Sequence, residues 1–406
     1  MAQRRRGQTS SNDATLQAAL PGGANPQSGS RRGDVRSSGM LLRRTILGAL
    51  VAARAGALAA SPAGAAAPEP ASGPAAPLRF PRDFGAHPEA RTEWWYITGV
   101  LAAGARVWGF QITFFRAATG VVISAPSRFA ARQLLFAHGA VSDLAARRLR
   151  HDQRIARSGF GIAEAGVDDT ALVLRDWRLA RGGGAGASRY SAQAKSDRAG
   201  FAYELEIAAT QPVVLQGENG VSRKGPRREQ TSRYYSEPQL AVRGTLRVEG
   251  RPADVTGRAW LDHEWSDAYL DPGAAGWDWI GMNLDDGSAL MAFRMRRADG
   301  STLWSGGSHR PAGGATRDFA NAEVVFTPGR IWTSPASSTR YPVEWQVATP
   351  AGTFGVRALL DDQELDSRHS TGAIYWEGLA LLVDGAGAPV GRGYLEMTGY
   401  AARLVL

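Results

Sequence analysis

The chain has 406 residues, of which 44% are apolar, and it carries a formal net charge of +9. This length is enough for two or three domains with sizeable cores. Residues 1–67 hold nine arginines and two acidic residues, a local charge of +7, so the rest of the chain carries only +2. Because no basic stripe interleaved with aromatic residues remains, nucleic-acid binding is not expected. The absence of cysteine excludes disulfides, thiolate metal sites and cysteine nucleophiles.

The N-terminal segment has the composition of a targeting sequence. Residues 1–39 are polar and rich in Gly, Ser and Arg, which predicts a disordered leader, or an untranslated one if Met40 is the true start codon. Residues 40–67 join the paired Arg43 and Arg44 to a short apolar stretch that ends in small residues, as in a signal peptide of the twin-arginine type. The stretch is too short to span a membrane. We therefore expect an exported protein, periplasmic or secreted.

The remainder predicts an all-β protein. After a Pro/Ala linker at 68–79, alternating stretches rich in Trp, Tyr, Phe, Val and Ile recur between turn signals. Many short strands with polar turns indicate barrels or sandwiches. The strands fall into two sets, which we assign to an N-terminal domain at 80–259 and a C-terminal domain at 260–406. Residues 127–137 are the only segment for which we predict a helix. Residues 217–233 are expected to form a long mobile loop.

Acidic residues, a histidine and tryptophans are concentrated in the segment 257–266. If the segment is extended, alternation separates its side chains into Trp260, Asp262 and Glu264 on one face and Leu261, His263 and Trp265 on the other. We expect the imidazole and the indole to point together into an apolar hollow, with the acids opposite or at its rim. Nearby, Trp277-Asp278-Trp279 places both indoles on one face.

This combination suits carbocation chemistry. A buried carboxylic acid can be tuned to protonate a C=C bond, and an indole face stabilises the resulting cation by roughly 0.5–2 kcal/mol. A purely structural interpretation is equally compatible with the pattern, with Trp260 and Trp265 in the core and Asp262 paired with Arg258.

Other acids also stand beside aromatic residues. In Glu93-Trp94-Trp95-Tyr96, alternation places Glu93 with Trp95 and Trp94 with Tyr96, and a buried Glu93 is expected to pair with an arginine. His138 is expected to be a core residue. The same pairing of acid and aromatic residues recurs at Glu377 and Glu396.

The sequence contains no G-x-S-x-G elbow, no H-E-x-x-H motif and no phosphate-binding glycine loop. No metal and no cofactor is therefore predicted.

These residues carry a resemblance to a known family. The motifs that carry it are Glu93-Trp94-Trp95-Tyr96, Gly109-Phe110-Gln111-Ile112-Thr113-Phe114-Phe115-Arg116, Tyr234-Tyr235-Ser236, Trp260-Leu261-Asp262-His263-Glu264-Trp265, Tyr375-Trp376-Glu377-Gly378 and Gly391-Arg392-Gly393-Tyr394-Leu395-Glu396. They resemble the AttH and carotenoid 1,2-hydratase family, and the chain looks closest to its secreted branch.

The resemblance implies a tandem of two lipocalin-like antiparallel β-barrels. It also implies cofactor-free addition of water to the terminal C=C bond of an acyclic carotenoid, with a His-x-Trp pair that His263 and Trp265 match. The family's hydratases use a Tyr and an Asp on a later strand as well, and residues 288–293 offer no such pair.

Three functions remain open at this stage. In a hydratase-type lyase, Asp262 or Glu264 would donate the proton and His263 would orient or relay it. The cation site would be lined by Trp265, Trp277 and Trp279. The expected ligand-binding residues are Trp94, Trp95, Tyr96, Trp277, Asp278 and Trp279. Alternatively, the same aromatic residues hold a lipid without reaction in an extracytoplasmic carrier. The third alternative is a secreted hydrolase. The expected partner is a small apolar ligand or lipid, and contact with a membrane surface stays open.

Overall fold

The computed structural model describes residues 76–120, 127 and 129–404. The predicted leader at 1–39, the signal peptide at 40–67 and all but the last residues of the linker at 68–79 lie outside these ranges. Within the described ranges, no helical segment has the length and apolar character needed to cross a lipid bilayer.

The first sheet has thirteen antiparallel strands and follows one short 3-10 turn, Arg82–Phe84. Its strands are β1 Thr92–Ala103, β2 Arg106–Ala118, β3 Gln133–Asp143, β4 Arg148–Arg157, β5 Ala163–Ala165, β6 Ala171–Leu174, β7 Trp177–Gly182, β8 Arg189–Ser196, β9 Phe201–Ala208, β10 Val214–Leu215, β11 Val221–Arg223, β12 Thr231–Val248 and β13 Arg251–Ser266. The order is β4-β3-β2-β1-β13-β12-β9-β8-β7-β6-β5, with β10 and β11 attached to β12. Because β3 and β4 approach β6, the sheet nearly closes into a barrel.

The second sheet has ten antiparallel strands in the order β17-β16-β15-β14-β25-β24-β22-β21-β18, with β23 on β24. The strands are β14 Gly276–Leu284, β15 Ala289–Arg296, β16 Thr302–Arg310, β17 Arg317–Phe319, β18 Val325–Pro328, β21 Glu344–Thr349, β22 Gly352–Ala358, β23 Glu364–Asp366, β24 Ile374–Val383 and β25 Pro389–Met397, while β19 Ile331–Thr333 and β20 Arg340–Pro342 form a separate pair. The expected all-β tandem of lipocalin-like antiparallel barrels is confirmed.

Two details of the strand assignment differ from expectation. The division at 259/260 falls inside β13, which stays in the first sheet to Ser266, and the second sheet begins at Gly276. The helix expected at 127–137 is wrong, because β3 begins at Gln133 and the preceding described residues form turn and coil. Both faces of β3 are covered, and a continuous apolar run of this kind cannot be told from a helix by periodicity.

Three large apolar clusters organise the interior, besides a small fourth one of Ala140, Leu365 and Tyr375. One fills the first barrel around Trp95, Trp177 and Leu261, and a second fills the other sheet around Ile280 and Trp376. The third lies between the two sheets and is built from residues that face away from both barrel interiors, such as Tyr96, Trp260 and Trp279. The sheets approach closely at Gly109, where a Cβ would lie 2.6 Å from the Tyr394 hydroxyl oxygen.

One buried carboxylate ties the start of β1 to its neighbours. Glu93 accepts hydrogen bonds from the His87 backbone N–H at 2.9 Å, from His87 Nδ1 at 2.8 Å, from His263 Nε2 at 2.9 Å and from Arg116 Nε at 2.8 Å. The expectation that Glu93 pairs with an arginine is therefore confirmed. Arg116 also donates to the carbonyl oxygens of His87 and Ala90 at 2.6 and 2.8 Å. The segment before β1 is thereby fixed to β1, β2 and β13.

Arg116→Met should lower the free energy of unfolding by about 3–5 kcal/mol, because it leaves the buried Glu93 charge without its cation. Urea denaturation of the purified protein measures the change. The matched control is Arg243→Met, since Arg243 pairs with Glu206 where the two side chains are 75% and 66% exposed. The control should change stability by less than about 1 kcal/mol. Equal losses for the two variants would contradict the role assigned to Arg116.

Candidate functional site

An aromatic cavity of about 270 Å³ lies between the two sheets. Its walls carry rings from both halves of the fold, namely Trp94, Tyr96, Phe115, Phe136, Tyr234, Tyr269, Trp277, Trp279 and Tyr375. Several of these rings meet edge to face, with centroid distances of 4.8 Å for Trp94 and Tyr269 and 5.4 Å for Tyr96 and Trp279. The aromatic walls suit an apolar ligand. Five carboxyl groups interrupt them: Glu93, whose partners are described above, and the four groups of Asp262, Glu264, Glu377 and Glu396.

Two of the four carboxyl groups form a pair on the second sheet. Glu377 and Glu396 are directly opposite each other in the antiparallel pairing of β24 with β25, and both line the cavity. Gln111 donates to Glu377 Oε2 at 2.6 Å, and the Trp277 indole donates to Glu396 Oε2 at 3.1 Å. Glu377 Oε1 and the Tyr96 hydroxyl are buried and make no well-formed hydrogen bond within the described residues.

The pair is poorly suited to carry two negative charges. Burial, followed by the charge of Glu396, raises the pKa of Glu377 well above its usual range. Burial also raises the pKa of Glu396 to about 7, and the nearby charges of Asp262 and Glu264 act in the same direction. Like charges this close cannot both ionise cheaply, so the pair titrates as a unit and holds a proton at neutral pH.

The other two carboxyl groups project from β13 on the face predicted from alternation. Asp262 accepts hydrogen bonds from Tyr234 at 2.7 Å, Ser236 at 2.5 Å and Trp260 at 2.7 Å. Burial raises the pKa of Asp262 to about 7, although these three hydrogen bonds oppose the shift. The alternative pairing of Asp262 with Arg258 is not found, because Arg258 lies near Asp285, at 3.7 Å.

Glu264 has a cation of its own. Its Oε1 lies 2.8 Å from Lys224 Nζ and also accepts a hydrogen bond from Ser232. Burial raises the pKa of Glu264, whereas Lys224 lowers it. Lys224 is buried, and its ammonium lies over three rings, with centroid distances of 4.2 Å for Phe293, 4.7 Å for Tyr234 and 5.3 Å for Tyr269.

The loop expected at 217–233 is only partly a loop. The segment contains β11, which pairs with the start of β12 and buries Lys224 behind the cavity wall. The glycines and charged residues of this segment are typical of an exposed loop. A lysine can be buried there only because it pairs with Glu264, which is distant in sequence.

His263 and Trp265 were expected to point into the cavity, but in the structure they do not. They share the face of β13 that turns into the first barrel, where His263 is fully buried, with Nε2 on Glu93 and Nδ1 3.0 Å from the Tyr235 hydroxyl. Trp265 stacks on His87, with 3.6 Å between ring centroids. Burial lowers the pKa of His263, although Glu93 opposes the shift. The acids line the cavity and the imidazole lies behind the wall, the reverse of the expected arrangement.

His87, Glu93 and His263 bring three metal-ligating atoms within 4.8 Å of one another. The distal nitrogens of both imidazoles have partners, Asp83 at 3.1 Å and Tyr235 at 3.0 Å, as is usual behind metal ligands. However, both oxygens of Glu93 already accept hydrogen bonds from the protein. The hydrogen bonds on Oε1 include those from the two imidazoles themselves, which a metal ion would replace, but the Arg116 guanidinium 2.8 Å from Oε2 disfavours a second cation beside Glu93.

The remaining predicted ligand-binding residues divide into two groups. Trp94, Tyr96, Trp277 and Trp279 line the cavity. Trp95 faces the first barrel and stacks on His263, with 4.5 Å between ring centroids. Asp278 is buried on the opposite side of β14 from the two indoles, bound to Arg294 at 2.7 Å and Tyr400 at 2.9 Å.

Sequence reasoning assigned no site role to several cavity residues. In the sequence Glu377 and Glu396 stand out only as acids beside aromatic residues, and their pairing depends on a strand register that the sequence does not specify. His138 was expected to be a core residue. It lines the cavity, with Nδ1 2.7 Å from the Tyr375 hydroxyl and Nε2 2.9 Å from Ser370. Burial lowers the pKa of His138 to about 3, so the ring is neutral.

Comparison with solved structures places this architecture among known proteins. An AttH candidate from Nitrosomonas europaea is 48% identical, with a TM-score of 0.74, over 80% of this chain and 98% of that chain. Kievitone hydratase from Nectria haematococca is 15% identical, with a TM-score of 0.58, over 80% of this chain and 94% of that chain, a likeness of fold. No curated protein matches by sequence. Residues 71–400 match the family model described as AttH-like, and the chain belongs to the AttH-like family.

Proposed function

We propose that the protein is a hydratase-type lyase that adds water to a C=C bond of an apolar, isoprenoid-like ligand held between the two sheets. The observation that carries this proposal is the buried pair of Glu377 and Glu396, which faces an aromatic cavity and holds a proton at neutral pH. Membership of the AttH-like family and a fold shared with a protein named a hydratase support the same reaction class.

The first step is proton transfer from the glutamate pair. Glu377 Oε1 is the best placed donor, since it lies at the cavity wall without a well-formed hydrogen bond to the protein. Its proton forms a new C–H bond with the electrons of the ligand's π bond, and the positive charge develops on the more substituted carbon. A neutral carboxylic acid inside an apolar site is a strong enough donor because its ionised form is poorly solvated there.

The second step is capture of the cation by water. The faces of Trp277, Trp279 and Tyr269 offer negative electrostatic potential to the developing charge. The water oxygen forms the C–O bond, and one water proton passes through the Tyr234 hydroxyl to Asp262, which that hydroxyl contacts at 2.7 Å. Asp262, with its pKa near 7, then returns a proton to the glutamate pair and restores the starting state.

His263 and Trp265 enter this proposal as positioning residues. The hydrogen bond from His263 to Glu93 fixes the face that β13 turns inward, so Asp262 and Glu264 must face the cavity. Lys224 Nζ, 2.8 Å from Glu264 Oε1, balances the charge of Glu264 locally.

The cavity volume restricts the ligand class. About 270 Å³ lies just below the usual range of small-molecule sites, roughly 300–1,000 Å³. A sesquiterpenoid-sized chain, or one end of a longer carotenoid, therefore fits better than a whole carotenoid.

The carrier and hydrolase alternatives make different use of the same cavity. A carrier would hold its lipid unchanged, and native mass spectrometry of the purified protein would then detect an unmodified lipid and no hydrated product. A serine hydrolase would need a serine hydroxyl at the cavity, and among the described residues no serine lines it.

Glu377→Gln should reduce turnover by about 100- to 10,000-fold, the usual contribution of a general acid. The glutamine keeps the shape and can still accept the hydrogen bond from Gln111, so stability should change little. Farnesol and lycopene serve as probes, and incorporation of isotopically labelled water into the product, followed by mass spectrometry, reports hydration.

The matched control is Glu344→Gln, a partly exposed glutamate of β21 outside the cavity, which should keep full turnover. The mechanism is wrong if wild-type protein hydrates neither probe, or if Glu377→Gln retains full activity while the probes are converted.

Glu396→Gln should shift the alkaline limb of the pH–rate profile to lower pH. The reaction needs a protonated acid, so activity is lost as pH rises through the pKa of that acid, and the charge of Glu396 helps to raise the pKa of Glu377. Removing this charge lowers that pKa. The acidic limb should stay near pH 7, because it reports ionisation of Asp262, whose pKa is about 7.

The full pH dependence of kcat/KM for wild type, Glu396→Gln and Glu344→Gln provides the measurement. An alkaline limb that remains in place in Glu396→Gln would show that the pair does not supply the proton.

A further inference from the structure

Exposed apolar side chains are concentrated at one end of the first sheet. Phe129, Phe160, Ile162 and Ile155 are 71%, 51%, 46% and 38% exposed, and together with Arg157 we call them the aromatic patch. Phe129 lies between β2 and β3, while Phe160 and Ile162 lie between β4 and β5. Large exposed apolar groups of this kind, when grouped, mark interaction surfaces.

The patch is held in place. The rings of Phe129 and Phe160 stack with 5.6 Å between centroids and an interplanar angle of 13°. The Arg157 guanidinium lies 4.4 Å from the Phe160 centroid and 5.4 Å from that of Phe129, and it donates to the Phe129 carbonyl oxygen at 2.7 Å. Two rings and a guanidinium are thus presented together to solvent, although exposure of apolar area to water is unfavourable.

The strand register places the patch beside the cavity. The loops that carry it leave the same end of the sheet at which β1 begins, since Thr92 pairs with Ala117 and Leu134 pairs with Arg157. Thr92 and Ala117 line the cavity.

An apolar row also links the two features. Phe115 pairs with Phe136, and Phe136 pairs with Ile155, so their side chains lie on one face of neighbouring strands. Phe115 and Phe136 line the cavity, while Ile155 belongs to the patch. The cavity wall and the exposed rings are therefore continuous across the sheet.

We propose that the aromatic patch docks on the surface of a phospholipid bilayer, from which the apolar ligand enters the cavity. Exposed phenylalanine and isoleucine side chains can insert at the boundary between lipid headgroups and acyl chains, and the Arg157 guanidinium beside them is suited to a lipid phosphate. The source of the ligand rests on the proposed function, since an isoprenoid-like molecule dissolves in lipid rather than in water. Docking itself depends only on the patch.

The test is co-sedimentation of the full chain with phosphatidylcholine vesicles. Wild type should sediment with the vesicles, and Phe129→Ser combined with Phe160→Ser should reduce the partition coefficient at least tenfold, because interfacial binding scales with buried apolar area. Arg157→Gln should weaken binding less. The nine arginines of residues 1–67 are present in every variant, and the vesicles carry no net charge, so the N-terminal segment does not account for a difference between variants.

The matched control is Val325→Ser combined with Ile331→Ser, which removes two apolar side chains, 51% and 40% exposed, from the other half of the fold. This control should bind vesicles like wild type. Glu377→Gln should also bind like wild type, so loss of turnover and loss of docking are measured separately.

Three outcomes overturn the proposal. Wild type fails to sediment with the vesicles, or the double phenylalanine variant sediments like wild type, or the control loses binding equally. Light scattering adds a further check. If the double phenylalanine variant turns a dimer into a monomer while vesicles capture none of the proteins, the patch is an interface between two copies and not a lipid-docking surface.

Discussion

The carboxylate of Glu93 is the interaction on which the arrangement of the site depends. It is buried with no access to bulk water, and burial alone would raise its pKa, but hydrogen bonds and charges from His263 and His87 hold the pKa well below its usual range. A buried charge of this kind persists only when every lone pair is satisfied. His87, Arg116 and His263 meet this requirement, and each must therefore occupy one position.

The position of His263 decides which way its neighbours point. Successive side chains of a strand alternate between faces, so an imidazole that turns into the first barrel forces Asp262 and Glu264 to turn out of it. The outer face of the first sheet is thus acidic where it meets the second sheet, whose own acids, Glu377 and Glu396, lie across the cavity. These four carboxyl groups line one aromatic cavity, but each has different hydrogen-bond or ion-pair partners. Different surroundings give chemically similar groups different pKa values, and proteins use such differences to assign acid and base roles.

Alternation within single strands was predictable from sequence, and the structure agrees with it for β13 and for Trp94 and Tyr96 on β1. Which face of a strand points into the barrel was not predictable from sequence. Asp262 and His263 both stand beside tryptophans, and only their partners on other strands show that His263 faces the barrel interior and Asp262 faces outward. The pairing of Glu377 with Glu396 depends on a hairpin register, and the burial of Lys224 depends on Glu264. Asp278 shows the same limit: it follows Trp277 directly, yet Arg294 and Tyr400 hold it away from the cavity.

The cavity walls are the outer surfaces of two sheets, and each sheet has a separate apolar interior. A substitution at Trp277 or Phe136 alters the enclosure without opening a void in either interior, so the usual conflict between remodelling a site and keeping a protein folded is relaxed. Homologous proteins with this architecture can therefore change their ligand while both sheets and their apolar interiors stay the same. Because the cavity and the apolar interiors use different residues, evolution can change the ligand and the reaction while it keeps the fold.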